Sequence, residues 1–281
     1  KFASGAKMVV QMLRQRQNYE GASRLEDIAP LFDPHNFWDQ QPVPKPTDAV
    51  SLGADQFDAA IENKRVEEIK EEPYNLPAGF TWCNLDLADD AVAQEMYDLL
   101  EQNYVEDDDA MFRFDYSVPF LRWALLPPNH KPDWLIGVRG GKKNRLFGCI
   151  TGIPVTMRLN GAPVECCEVN FLCVHKSLRA KRLAPVLIKE ITRRVNRCDI
   201  WQAIYTAGVT IPTPFTGATY WHRSLNPNKL LDIKFSALPA KTPKARYIKL
   251  QKLRDATIPN MRSMEVRDVS AVTSMLNTYL G

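Results

Sequence analysis

The segment from Glu168 to Arg197 constrains this chain more than any other. Glu165–Val174 (ECCEVNFLCV) is apolar and rich in strand-forming residues, and it reads as a strand. A basic loop follows, and then Leu183–Val195, where Ala184, Leu187, Ile188, Ile191 and Val195 recur at helical spacing as one buried stripe. A central strand that passes through a short loop into an amphipathic helix is an element of an α/β sheet. Lys176–Arg197 carries eight basic residues against one acid, Glu190, a net charge of +7. Its cluster Arg179–Arg182 stands directly before the helix, where unpaired backbone N–H groups and the helix dipole favour an anion. Pro185 is tolerated because first-turn N–H groups have no partner within the helix. The pattern predicts a pyrophosphate site, and a solvated basic helix face is the competing reading.

Further elements place this unit in a sheet. Ala93, Met96, Tyr97 and Leu100 predict a helix that starts at Asp89 and Asp90. Trp134–Arg139 and Leu146–Met157 predict strands, with turn signals at Gly140-Gly141 and Asn160-Gly161. Trp201–Ala207 and Leu230–Phe235 are read as further strands, and Asp268–Leu280 as a helix. Lys7–Gln17 has helical spacing, Phe37–Lys45 is held extended by its prolines, Thr47–Lys70 is a polar excursion, and Glu71–Pro77 is a connector. Asp90…Leu99-Leu100…Tyr104-Val105 is echoed by Asp268…Met275-Leu276…Tyr279-Leu280, as if a second copy of one unit began near Met264, although coincidence explains it equally well.

Charge and cysteine usage exclude several classes. A net charge of only +3 over 281 residues does not argue for nucleic acid or an anionic membrane as main partner. The six cysteines form no Cys-x-x-Cys pair and the four histidines are scattered, so no metal site is expected and the thiols are read as reduced. No apolar run is long enough to span a membrane as a helix.

The spacing Arg179-x-x-Arg182-x-Ala184 resembles the phosphate loop of the GCN5-related N-acetyltransferase fold, with Arg182 where that pattern has its first glycine. Longer words point further. Phe37–Lys45 (FWDQQPVPK), Asn103–Phe114 (NYVEDDDAMFRF), Glu168–Lys176 (EVNFLCVHK), Leu178–Asn196 (LRAKRLAPVLIKEITRRVN), Tyr205–Gly208 (YTAG) and Tyr220–Asn226 (YWHRSLN) stand in order. They resemble the glycylpeptide N-tetradecanoyltransferases, the protein N-myristoyltransferases, over nearly the whole chain from about Asp33.

That resemblance implies an α/β fold: a GCN5-related N-acetyltransferase-like mixed sheet with flanking helices, the first half of a pseudo-symmetric two-half fold. It implies an acyl-CoA-contacting arm within residues 1–70, a domain with the myristoyl-CoA site over 71–245, and the start of a second domain at 246–281. The implied reaction moves myristate from myristoyl-CoA, a substrate and not a resident cofactor, to the N-terminal glycine of nascent or cleaved proteins. Asn36, Phe37 and Trp38, the strand residues Phe171, Leu172, Cys173 and Val174, and the loop residues Ala180, Lys181, Arg182, Leu183 and Ala184 are implied to contact the acyl-CoA. The amides of Phe171 and Leu172 are implied to form an oxyanion hole, with Asn170 and Thr206 beside the reacting glycine. Val105, Asp107, Asp108, Phe112, Phe114, Asn170, Tyr205, Thr206, Tyr220 and His222 are implied to line the peptide groove. The acid run Glu106–Asp109 would favour peptides with a downstream lysine. His222 reads equally as a structural histidine. Cys173 reads as a small buried hydrophobe rather than an acyl-carrying nucleophile.

Lys1 is not methionine and the last helix stops abruptly, so both ends read as cut. In the resembled family the chain's terminal carboxylate takes the glycine proton, and no residue here matches it. The 281 residues alone are therefore expected to transfer poorly, and a non-catalytic acyl-CoA-binding fragment is the alternative. A short-chain acyltransferase and a nucleic-acid module are weaker readings. A cytoplasmic monomer, peripherally associated with ribosome or membrane at most, completes the expectation.

Overall fold

The computed structural model describes Val43 and residues 64–105, 112–159, 161–179, 181–207, 218–252 and 258–280. Two compact units divide between Ala218 and Thr219.

The first unit is built on a five-stranded sheet in the order β1-β2-β3-β4-β5, formed by β1 (Phe80–Asn84), β2 (Leu135–Gly140), β3 (Arg145–Leu159), β4 (Ala162–Val174) and β5 (Gln202–Ile204). The first four strands are antiparallel neighbours, and β5 joins β4 in parallel. Glycines make the two tight connections: Gly141 at φ +72° and Gly161 at φ +84° adopt the left-handed backbone that a side chain disfavours.

Helix α1 (Asp90–Asn103) starts where the Asp89 carboxylate accepts the N–H groups of Ala91 at 2.7 Å and Val92 at 3.1 Å. Helix α2 (Val118–Leu125) is capped by Ser117, with Pro119 in its first turn. Helix α3 (Leu183–Asn196) follows β4. Strand alternation sorts these helices onto two faces. Leu135, Cys149, Phe171 and Cys173 face a core with Met96, Leu99 and Leu100 of α1 and Leu121 and Leu125 of α2. Ile136, Val138, Ile150 and Cys167 face the other way, against Leu183, Leu187, Ile191 and Val195 of α3.

The second unit holds α4 (Pro227–Asp232), α5 (Lys244–Gln251) and α6 (Val269–Tyr279), and none of its described residues is buried. One expectation is corrected here. The strand expected at Leu230–Phe235 is not formed, because its first residues end a helix that Asn226 and Pro227 begin. The Asn226 carboxamide oxygen accepts Lys229 N–H at 3.0 Å, and Pro227 fits the first helical position. The strand expected at Trp201–Ala207 is only three residues long, whereas β1 and α2 were not anticipated at all.

Candidate functional site

The chemistry expected of this chain centres on the end of β4, and there the strand is irregular. Cys149 of β3 registers with Cys173 and Thr151 with Asn170, so Phe171 and Leu172 together oppose the single residue Ile150. This is a β-bulge. Phe171 sits at φ +50°, a left-handed conformation that costs a bulky residue roughly 1 kcal/mol or more. The extra residue also shifts the alternation. Cys167 and Val169 pack toward α3, but Phe171 and Cys173 pack toward α1, while Leu172 and Val174 resume the α3 side.

Among the described residues the edge beside the bulge carries no partner strand. Strand β5 pairs with β4 only from Cys166 to Glu168. Among the described residues no strand lies alongside Val169–Val174 on that side, so β4 presents an edge on which an extended ligand can form main-chain hydrogen bonds. Tyr205 and Thr206 follow β5 directly, past the end of its pairing with β4. The register of β5 with β4 ends at Ile204–Glu168, two residues short of Asn170. Tyr205 is half-buried, and burial raises its phenol pKa, whereas Thr206 is exposed.

Around the bulge lies an aromatic path. Phe114 stacks on Tyr116 at 5.8 Å between ring centroids, and Tyr116 meets Phe171 edge-on at 5.3 Å. Tyr104 lies 6.1 Å from Phe171, and burial, with Tyr116 second, pushes its phenol pKa up to about 12. Phe114 N–H also donates to Val105 O at 3.4 Å, which joins the two ends of the acidic loop. Val105 and Phe114 are thus brought to the bulge, with their side chains exposed, and Phe112 is half-buried.

Burial disfavours the thiolate form of the cysteines near the bulge. Burial pushes Cys173 up to about 12, against the lowering effect of the Arg179 charge. Cys167 also reaches about 12, chiefly through burial, and burial carries Cys149 well above its usual range. Cys198 is exposed. A brief iodoacetamide exposure at pH 8, read by mass spectrometry, is expected to label Cys198 and spare Cys149, Cys167 and Cys173 until the chain is denatured. Labelling of Cys173 at the rate of Cys198 would contradict this.

After β4 the chain turns through Lys176–Leu178 into α3. Arg182, the residue before α3, adopts φ +57°, the left-handed conformation that suits glycine, so the loop keeps its turn without its glycine. No side chain caps this helix start. The amides of Leu183, Ala184 and Val186 head the helix, Pro185 has none, and Lys181 and Arg182 are exposed beside them. The Leu183 side chain is core, so only its main chain can serve a ligand. The loop is anchored to α1 through Asn103, a buried residue. Its carboxamide oxygen accepts Lys176 N–H at 2.9 Å, and its backbone oxygen accepts the Arg179 guanidinium at 2.5 Å. Arg179 thus also lies at the negative end of the α1 dipole.

Not all of the basic segment serves this loop. Glu190 is fully buried, and its carboxylate accepts from Arg193 at 2.7 and 3.0 Å, from Arg194 at 2.8 Å, and from Tyr74 N–H at 3.1 Å. Arg193 reaches on to Glu71 O at 2.8 Å, and Arg194 to Asn84 Oδ1 at 2.6 Å and Asp133 O at 2.7 Å. Two of the eight basic residues therefore fasten α3 to the connector and the sheet. Thr151, Asn103 and this cluster were not singled out from sequence. Asn103 opens one of the motifs that carry the resemblance, and Glu190 was visible as the one acid among eight bases.

Asn36, Phe37, Trp38, Asp107, Asp108 and Ala180 lie outside the described residues. Tyr220 and His222 belong to the second unit, with their rings 6.4 Å apart. Among the described residues no group of three His, Cys, Asp or Glu side chains could hold a metal, and no helix is long and apolar enough to cross a membrane.

Four antiparallel strands with a fifth added in parallel, and helices on both faces, make a mixed α/β sheet fold. Residues 60–218 match the family described as "Myristoyl-CoA:protein N-myristoyltransferase, N-terminal domain", and the chain belongs to that family. Glycylpeptide N-tetradecanoyltransferase 1 of Arabidopsis thaliana is 50% identical over 260 residues, 92% of this chain and 59% of the relative. Glycylpeptide N-tetradecanoyltransferase 2 of Bos taurus is 51% identical over 247 residues, 88% of this chain and 48% of the relative. A crystal structure of Saccharomyces cerevisiae N-myristoyltransferase with bound myristoyl-CoA superposes with a TM-score of 0.79 at 38% identity, covering 98% of this chain and 60% of that one. The chain thus spans about half to three fifths of the length of these relatives.

Proposed function

We propose that this chain holds myristoyl-CoA for transfer of its acyl group to the N-terminal glycine of proteins. The observation that carries the reading is the bulge at Phe171 and Leu172, which lies within a strand edge left unpaired among the described residues and precedes an uncapped helix start. The edge of Val169–Val174 suits the amides of a pantetheine arm, and Lys181, Arg182 and the first α3 amides suit its phosphates. The amides of Phe171 and Leu172 lie within that edge and suit a thioester carbonyl that gains charge during acyl transfer. Asn170, Tyr205 and Thr206 stand just past the end of the β4–β5 pairing, on the side from which an amine would approach.

The names of the relatives, and the myristoyl-CoA bound in the yeast enzyme, support this choice of acyl donor. On the same reading the acidic loop favours acceptor peptides with a downstream lysine, and Asn36, Phe37 and Trp38 belong to the arm over the acyl-CoA. Residues 71–245 carry the donor site, and 246–281 begin a second domain. The protein works as a cytoplasmic monomer without a resident cofactor.

Calorimetry with myristoyl-CoA and with acetyl-CoA, beside single-turnover transfer to a Gly-starting, Lys-containing peptide, tests the reading. Binding of myristoyl-CoA at least about tenfold tighter than acetyl-CoA is expected from the buried methylene groups. Binding without transfer would favour the acyl-CoA-binding fragment. Absence of binding would overturn the proposal.

A further inference from the structure

We infer that Thr151 is a positioning residue that aims the two amides of the β4 bulge. The inference rests on the oxyanion reading above and adds to it a side chain that touches neither substrate nor cofactor.

In a regular strand successive carbonyls point to opposite sides. In this bulge they do not. The Thr151 hydroxyl donates to Asn170 O at 2.9 Å, and the Cys149 thiol donates to Phe171 O at 3.3 Å. Both donors come from β3, so two consecutive carbonyls are drawn to the same side. A trans peptide sets each N–H opposite the carbonyl that precedes it. The N–H groups of Phe171 and Leu172 therefore share one direction, away from the side chains of Thr151 and Cys149. Two successive N–H groups pointing one way, with one residue left-handed, form an anion-accepting nest. The left-handed φ of Phe171 is the backbone cost of this arrangement.

Thr151 carries more of the work than Cys149. An O–H···O bond at 2.9 Å is stronger than an S–H···O contact at 3.3 Å, because a thiol is a weak donor. Thr151 is also fully buried, so no water can replace its hydroxyl cheaply. The Phe171 amide donates at 2.8 Å to the carboxamide oxygen of Asn170, so its partner is already an oxygen. A thioester oxygen entering the nest would take over that donor and release the Asn170 side chain.

Infrared difference spectroscopy of myristoyl-CoA labelled with carbon-13 at the thioester carbonyl tests the inference in the chain as it stands. The wild-type chain is expected to lower the carbonyl stretching frequency relative to free ligand. Thr151→Val, which keeps shape and loses the hydroxyl, is expected to lose about half of that shift while binding myristoyl-CoA within about threefold of wild type. Thr151→Ser is expected to retain the shift. A lesion that merely loosened the core would weaken binding or melting and would not selectively move the carbonyl band. Thr151→Ala, which cannot clash, gives the same comparison if the valine variant does not fold. A full shift in the valine or alanine variant, or its loss in the serine variant, overturns the role of Thr151. No shift in wild type overturns the oxyanion reading itself and this inference with it.

Discussion

Replacing Glu190 with alanine is expected to remove about 3–5 kcal/mol of folding stability, measured by urea unfolding followed by circular dichroism. The carboxylate is fully buried, and the side chains of Arg193 and Arg194 are only 8% and 12% exposed. Removing the acid leaves two guanidinium groups beside one another in a poorly hydrated site, and it also removes the acceptor of Tyr74 N–H. Arg193 and Arg194 further carry hydrogen bonds to Glu71, Asn84 and Asp133, so the lesion loosens α3 from both the connector and β1. Glu190→Gln keeps the shape and some acceptor capacity and is expected to lose less. Burial raises the pKa of Glu190, but the hydrogen bonds from Arg193, Arg194 and Tyr74 outweigh it, and the net shift is downward. A depressed carboxylate contributes stability that is present above its unfolded pKa and is lost as pH falls through its folded one. Wild type should therefore lose part of its margin over Glu190→Gln in acid and hold all of it at neutral pH. A loss below about 1 kcal/mol for the alanine variant would mean that the cluster behaves as an exposed ion pair.

This cluster also shows what the sequence could reveal. The α3 stripe, β2 to β4 and the start of α1 were legible because their apolar periods are strong and their boundaries carry Asp89, Gly141 and Gly161. The basic loop was legible as charge at a helix start. Which charges face a ligand was not, because helical spacing alone does not say that Glu190 is buried and draws Arg193 and Arg194 to itself. The bulge was also hidden: strict alternation would place Phe171 on the same face as Cys167 and Val169, and only pairing with β3 reveals the extra residue. Leu230–Phe235 departs from a strand for a local reason: the Asn226-Pro227 cap before it starts a helix that runs through its first residues. The echo between α1 and α6 extends to their form as helices but not to burial. Leu99 and Leu100 are buried, whereas Met275 and Leu276 are 51% and 44% exposed.

Reversing the charge at the head of α3 is expected to have the largest effect on ligand affinity. Lys181→Glu combined with Arg182→Glu should weaken myristoyl-CoA binding by about 100-fold at low salt, with much of the difference lost as salt screens the exposed charges. The experiment needs a control for shape, because Arg182 also holds the left-handed turn into the helix. Arg182→Gly supplies it: glycine accepts that conformation without the Cβ clash, so folding stability should stay within about 1 kcal/mol of wild type. It removes one charge, and about a tenfold loss of affinity is expected. The uncapped amides of Leu183, Ala184 and Val186 remain in both variants, so some phosphate binding should survive even the double reversal. Myristoyl-pantetheine, which lacks the nucleotide phosphates, separates charge from the rest of the site. Its affinity should be nearly equal in wild type, Arg182→Gly and the double variant if, as proposed, it uses the β4 edge and not the helix head. Equal losses for both ligands would show that Lys181 and Arg182 maintain the loop rather than bind phosphate, and the basic run would return to being a solvated helix face.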